Sequence, residues 1–306
     1  MGKVLRFATF LGWLLIAAAA VAQVKPTAKP KYGGQITYGA LRDIRTTNPF
    51  IETYSNDYNV RSLMFEGLTG LEKGSNVVPC LAKSWEISKE GTSYTFTLRS
   101  GVKFHHGKAV TSEDVKWSMD YIRDPKNRAY FLEQFTEVKS VEATDPTTVV
   151  FTLKRPFSPL VAVLATARSP IIPAGSQWSP TTYPPGTGPF AFVEWQSGQH
   201  VTLKAFKDYW IPGVPYLDQI IFKPIVDDSV RVTALKAGNV DLAEELPYSV
   251  GAEALKGKQE FVLVLHEAGD RRRIVFNTRM APFNDVRVRQ AVAYTIDKKE
   301  IGRAHV

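Results

Sequence analysis

The sequence predicts a mixed α/β fold with some α+β character. Short apolar segments of period two alternate with segments of helical period along most of the 306 residues. Hairpin-like pairs of strands also sit beside strand–helix units, and no internal repeat or low-complexity tract interrupts them. The length suits one to three domains with ample material for a core.

The elements follow in order. "GGQITYGA" alternates and predicts a strand, and "RDIRTTNPF" a turn. Ser55, Asn56 and Asp57 are good capping residues, and Val60, Leu63, Met64 and Leu68 behind them share a helical face. "SWEIS", the turn "KEG" and "TSYTFTLR" predict a hairpin. Its Tyr94, Phe96 and Leu98 point one way and Thr95, Thr97 and Arg99 the other. Thr111 and Asp114 form a capping box before a helix whose Val115, Met119 and Ile122 share a face, and Asp124–Pro125 stops it. "TTVVFTL", "FAFVEW", "VTLKAF" and "DQIIFKPI" predict strands, and "DSVRVTALKAG" a helix closed by Gly238. "FVLVL" and "RIVFN" are two further expected strands. A last helix is expected over "DVRVRQAVAYTIDKKEI", with Val288, Ala291, Val292 and Ile296 as its apolar face.

The N-terminus carries a targeting pattern. Two positive charges in "MGKVLR" precede about sixteen apolar residues, and Ala20–Ala22 offers small residues ahead of Gln23. That is the order of a secretory signal, expected over residues 1–22 and cleaved before Gln23, with an extended leader over 23–32. The apolar run is short for a membrane span of ~20 residues.

Composition excludes some function classes. The formal charge of +8 is spread along the chain, and its one tight cluster is Arg271–Arg273. Neither zinc-finger spacing nor an RNA-recognition signature accompanies it, so no nucleic-acid partner is expected. The single cysteine, Cys80, has no partner for an internal disulfide and reads as a small packed residue.

"GVKFHHGKAVTSEDV", residues 101–115, is the stretch with the look of chemistry. Adjacent His105 and His106 point apart, and His200, His266 and His305 are scattered, so no metal set of three or four ligands forms. Gly101 and Gly107 enclose five residues where a phosphate loop needs four, and Ala109 follows Lys108 where it needs Ser or Thr. No G-x-S-x-G elbow proposes a nucleophile. The segment therefore reads as a turn, with Gly107 at positive φ and Thr111 capping the next helix. No enzyme activity, metal or cofactor is expected.

The same region carries a family resemblance. "VPCLAKSWEISKEGTSYTFTLRSGVKFHHGKAVTSEDVKWSMDYIRDP" is similar to the signature region of the peptide/nickel-type, family 5 solute-binding proteins of ABC importers. "FEGLTGL", "GTGPF", "YWIPGVPYLDQIIF", "ALKAGNVDL" and "FNTRMAPFNDVRVRQAVAYTIDK" match in the same order, so the likeness covers about residues 33–300. One departure is His106, where the family usually has Asp or Asn before the glycine. Those residues favour tight turns, and His tolerates such backbone next best.

The resemblance implies a periplasmic-binding-protein-like clamshell that encloses a ligand between two lobes. It implies a split first lobe over 33–66 and 186–270, an inserted subdomain over 67–185, and the truncated start of a second lobe over 271–306. The implied function is capture of an oligopeptide, or a nickel chelate, haem, opine or sugar, for an inner-membrane ABC permease, by a periplasmic monomer. A secreted hydrolase using His105 and His106 is the reading from another class. Thr53, Tyr54 and Ser55 match the family's ligand strip, Tyr130 approaches from the inserted subdomain, and Gly186, Thr187 and Gly188 form the loop at the lobe crossing.

Overall fold

A computed structural model describes residues 30–51, 55–72, 76–165, 167–247, 250–251, 261–262 and 274–297. The signal segment and nearly all of the leader, most of "FVLVL", the arginine cluster and residues 298–306 lie outside the described residues.

Along the chain run strand β1 (Gln35–Ala40), helix α1 (Ser55–Ser62), strands β2 (Thr69–Leu71) and β3 (Val77–Pro79), and the hairpin β4 (Ala82–Ile87) and β5 (Ser93–Leu98). Helix α2 (Ser112–Arg123), the hairpin β6 (Val138–Asp145) and β7 (Thr148–Leu153), and the single turn α3 (Leu160–Val163) follow. Then come β8 (Phe190–Gln196), β9 (His200–Ala205), β10 (Gln219–Pro224), α4 (Asp228–Lys236), β11 (Leu242–Ala243) and α5 (Val286–Tyr294).

Two sheets dominate. The first is mixed, in the order β11-β1-β10-β9-β8. In it β1 lies parallel to β10, from Gln35 opposite Gln219 to Ala40 opposite Pro224, and parallel to β11 on its other side. The chain leaves β10, passes through α4 and returns as β11 beyond β1, as a parallel connection requires. The second sheet is antiparallel, in the order β4-β5-β7-β6. Tyr94, Phe96 and Leu98 of β5 are buried, as are Val149, Phe151 and Leu153 of β7, so both strands keep the alternation read in the sequence.

Helix α2 lies on this second sheet and buries Val115, Met119 and Ile122 almost completely. Each such side chain contributes roughly 1.5–3 kcal/mol of burial. Its start is the expected capping box: the Asp114 carboxylate accepts the Thr111 backbone N–H at 2.9 Å and its hydroxyl at 2.8 Å. Burial raises the Asp114 carboxyl, but bonds from the Ala174 N–H, Lys108 and Thr111 outweigh it and hold the group below its ordinary range. Helix α4 is capped by Asp227, which accepts the Val230 N–H at 2.9 Å, and Gly238 at φ +72° ends it.

The structure departs from the sequence reading in several places, the short elements β2, β3, α3 and β11 among them. Helix α1 stops at Ser62 instead of carrying its apolar face on to Leu68. The Leu63 and Met64 carbonyls accept the Phe190 and Gly188 N–H groups, so the loop before β8 takes acceptors that a longer helix would use. Ile274–Asn277 of "RIVFN" is not a strand: among the described residues nothing pairs with it, and Ile274 and Val275 are exposed. Helix α5 ends at Tyr294, two residues before Ile296, and buries none of its residues. Strand β6 was not foreseen. Its register shifts between Val138 and Ser140 and again between Ala143 and Asp145, which breaks the period of two.

Candidate functional site

Tyr130 and Arg168 gather against Tyr58 of helix α1. The "NPF" turn before it is tied by the Asn48 side chain, which accepts the Phe50 N–H at 2.9 Å. Arg61 of α1, fully buried, reaches back to the same turn. Its guanidinium donates to the Pro49 carbonyl at 2.7 Å and the Ile51 carbonyl at 2.9 Å. Arg61 thus ties the turn to the last turn of α1, making one piece of the two. Ser55 opens α1, while Thr53 and Tyr54 lie outside the described residues.

Tyr130 arrives beside that piece. Its backbone N–H donates to the Phe50 carbonyl at 2.8 Å, and its ring stacks on Phe131 with centroids 5.5 Å apart. The ring is 53% exposed, so it is presented to solvent and not used to fill the core. Arg168 completes the cluster. Its guanidinium lies 4.4 Å from the Tyr58 ring centroid, 5.6 Å from that of Tyr130 and 6.0 Å from that of Phe131. A guanidinium over aromatic rings is held there by attraction to their π faces.

Gly186, Thr187 and Gly188 are placed elsewhere, at the opposite end of α1, and all three are buried. The loop is pressed against the chain leaving that helix. A Cβ on Gly186 would sit 1.9 Å from the Met64 carbonyl oxygen, and one on Gly188 would sit 2.5 Å from that of Leu63. His105 holds the loop from its other side. Its backbone N–H donates to the Gly186 carbonyl at 2.9 Å, Nδ1 lies 3.2 Å from the Gly186 nitrogen, and Nε2 lies 3.0 Å from the Gly188 oxygen. Burial lowers the imidazole to about 4, against the opposing pull of the Gly188 carbonyl. The turn expected at "FHHGKAVT" is present, with Gly107 at φ +91° and its N–H on the Phe104 carbonyl at 2.8 Å.

Beside this loop lies a buried carboxylate. Glu66 accepts the Tyr209 hydroxyl at 2.8 Å and the Trp210 indole N–H at 3.0 Å. Burial raises the Glu66 carboxyl although both bonds favour its charged form. The Thr187 hydroxyl, fully buried, lies near Glu66 outside hydrogen-bond geometry. The Cys80 thiol is 3.8 Å from Glu66, and burial pushes it far above the usual thiol range, so it stays protonated and unreactive. Among the described residues no three His, Cys, Asp or Glu side chains gather as metal ligands do.

The structure therefore brings Tyr130 to the Phe50 carbonyl of the turn before α1, and sets Gly186–Gly188 against the chain leaving the other end of that helix. Arg168, Tyr58 and the two-sided use of His105 escaped the sequence reading. The one available signal for Arg168 was a lone charge inside the apolar run "LVAVLATARSPII".

Residues 76–305 match the family described as bacterial extracellular solute-binding proteins, family 5 Middle. The glutathione-binding protein GsiB of Pectobacterium atrosepticum is 34% identical over 94% of this chain and 56% of its own length. The chain spans about half the length of the curated relatives it matches. Among solved structures, the periplasmic binding protein AgaA of A. tumefaciens R10 in complex with agropinic acid is similar, with a TM-score of 0.76 and 32% identity. That match covers 86% of this chain and 54% of AgaA. Campylobacter jejuni NikZ in complex with Ni(L-His) gives a TM-score of 0.78 and 30% identity, over 87% of this chain and 54% of NikZ.

Proposed function

The chain belongs to the family 5 bacterial extracellular solute-binding proteins, and on that premise we propose that it captures a small carboxylate-bearing solute for an ABC permease. These relatives are substrate-binding proteins of ABC transport and not enzymes. The proposed mechanism is capture by closure of two lobes, without covalent chemistry. Segments 33–66 and 186–270 form the first lobe, 67–185 an inserted subdomain, and 271–306 the start of the second lobe. The site of action is the periplasm, reached through the signal at residues 1–22, and the protein acts as a monomer.

The single observation that carries the solute class is Arg168 on its aromatic bed. Its guanidinium carries the planar fork of donors that matches a two-oxygen partner, and it lies against the Tyr58, Tyr130 and Phe131 rings. Glutathione, agropinic acid and the histidine of Ni(L-His), the ligands named for the relatives above, each carry a carboxylate. Tyr130 supplies an exposed ring against which a solute can stack. Thr53, Tyr54 and Ser55 supply polar groups from the adjoining strip. Gly186, Thr187 and Gly188 contribute by fixing the far end of α1, so that the strip at its near end does not shift.

Native mass spectrometry of the protein purified from its own host tests this reading. A stoichiometric small molecule bearing at least one carboxylate is expected, whether peptide, opine or metal chelate. A bound neutral sugar, or turnover of peptide and ester substrates that a chelator abolishes, would overturn it.

A further inference from the structure

We propose that His105 is a positioning residue, a neutral clasp fixed as the Nε2–H tautomer, that holds the Gly186–Gly188 loop in place and releases it on protonation. The tautomer follows from the chemistry of its neighbours. The Gly188 carbonyl oxygen only accepts, so Nε2, 3.0 Å away, carries the hydrogen. The Gly186 backbone N–H only donates, so Nδ1, 3.2 Å away, offers its lone pair. With the His105 N–H on the Gly186 carbonyl, three bonds from one residue span the three-residue loop.

A second proton has only Nδ1 to occupy. There it would set an N–H against the Gly186 N–H, and an attraction would become a repulsion between two donors. Beyond the Gly188 carbonyl, the described surroundings offer the imidazolium no compensation. The segment after β9 contributes the edge of Phe206, its ring centroid 5.1 Å from that of the imidazole. Its charged neighbours Lys207 and Asp208 are bound to Asp218 and Lys103. On the turn itself, His106 opposes a charge on His105, Lys103 pairs with Asp208, and Lys108 pairs with Asp114. The Gly186–Gly188 loop has no ionisable side chain.

The loop is held between two walls. Opposite His105, the Gly188 N–H donates to the Met64 carbonyl at 2.9 Å and the Phe190 N–H to the Leu63 carbonyl at 3.1 Å. Loss of the His105 wall therefore loosens the start of β8 and the exit of α1 together. The sign of the pH effect follows. The folded-state imidazole sits at about 4 against an ordinary 6.5, so its contribution to stability is complete above 6.5. It declines as pH falls below 6.5 and is gone near 4. This inference concerns the scaffold and does not rest on the solute proposed above.

Histidine-ring 1H–15N NMR on the whole chain tests it, with His106→Asn, His200→Asn, His266→Asn and His305→Asn variants identifying the other four signals by elimination. The expected result at pH 7 is the Nε2–H tautomer for His105. Its titration midpoint is expected near 4, with the Gly186 amide moving in step. The Nδ1–H tautomer, or a midpoint near 6.5, overturns the proposal. His105→Gln adds a second readout, because a carboxamide can donate to Gly188 and accept from Gly186 without titrating. Its melting temperature should fall less than the parent's between pH 6.5 and 4, and an equal fall in both proteins would also overturn the clasp. Should His105→Gln fail to fold, the tautomer and midpoint of the parent decide the matter alone.

Discussion

Gly186→Ala is expected to destabilise the fold by about 4 kcal/mol or more, in the range reserved for a few severe mechanisms. The new methyl carbon would lie 1.9 Å from the Met64 carbonyl oxygen and 2.8 Å from Cδ1 of Phe65. Neither neighbour can step aside cheaply. The Met64 carbonyl is bonded to the Gly188 N–H, and Phe65 is packed in the core with 2% exposure. Urea unfolding followed by circular dichroism gives the number. A loss below about 1 kcal/mol, the size of an ordinary substitution, would contradict the close approach of the two segments. Gly188→Ala, whose Cβ meets the Leu63 oxygen at 2.5 Å, should behave alike with a smaller loss.

Arg231→Met is expected to cost about 3 kcal/mol, the lower end for breaking a buried charged network. The methionine side chain can retrace most of the stem but donates nothing. Arg231 has no exposed surface, and its guanidinium binds the Glu244 carbonyl at 2.9 Å, the Ile225 carbonyl at 2.6 Å and Asp228 at 2.6 Å. Those carbonyls belong to the chain leaving β10 and β11, so the variant leaves the carboxyl ends of two parallel strands with unpaired acceptors. Hydrogen exchange should accelerate first in α4 and β11 and leave the β4-β5-β7-β6 sheet protected. Uniform acceleration across both sheets would contradict a local role for this side chain.

Much of the fold is written in local pattern. The β4–β5 hairpin, α2 with its Thr111–Asp114 box, and α4 with Gly238 behind it each carry their own start, period and stop. Position-by-position reading fails where another segment decides. The end of α1 is set by N–H groups from Gly188 and Phe190, some 125 residues further along the chain. Strand β6 hides behind two bulges, because Val138 and Val141 are buried three positions apart, a spacing that suggests a helix.

The candidate site divides in the same way. Family resemblance singled out Tyr130 and the strip at residues 53–55, of which Thr53 and Tyr54 lie outside the described residues. "GTG" was legible as a special loop, but its burial against Met64 and its clasp by His105 are tertiary facts. Arg168 was invisible as a partner, since Tyr58 and Tyr130 lie 110 and 38 positions away and meet it only in the folded chain.

A binding cycle tests the carboxylate-reading face most directly. The solute that co-purifies with the protein, and the same solute with that carboxylate converted to a carboxamide, are titrated calorimetrically into the parent and into Arg168→Met. Charge-assisted pairing predicts that the parent binds the acid at least tenfold more tightly than the amide, about 1.4 kcal/mol. It predicts that Arg168→Met binds both forms weakly and alike. A variant that keeps the full preference for the acid, or a parent that does not distinguish the two, would contradict the assignment of Arg168 as the group that reads the solute.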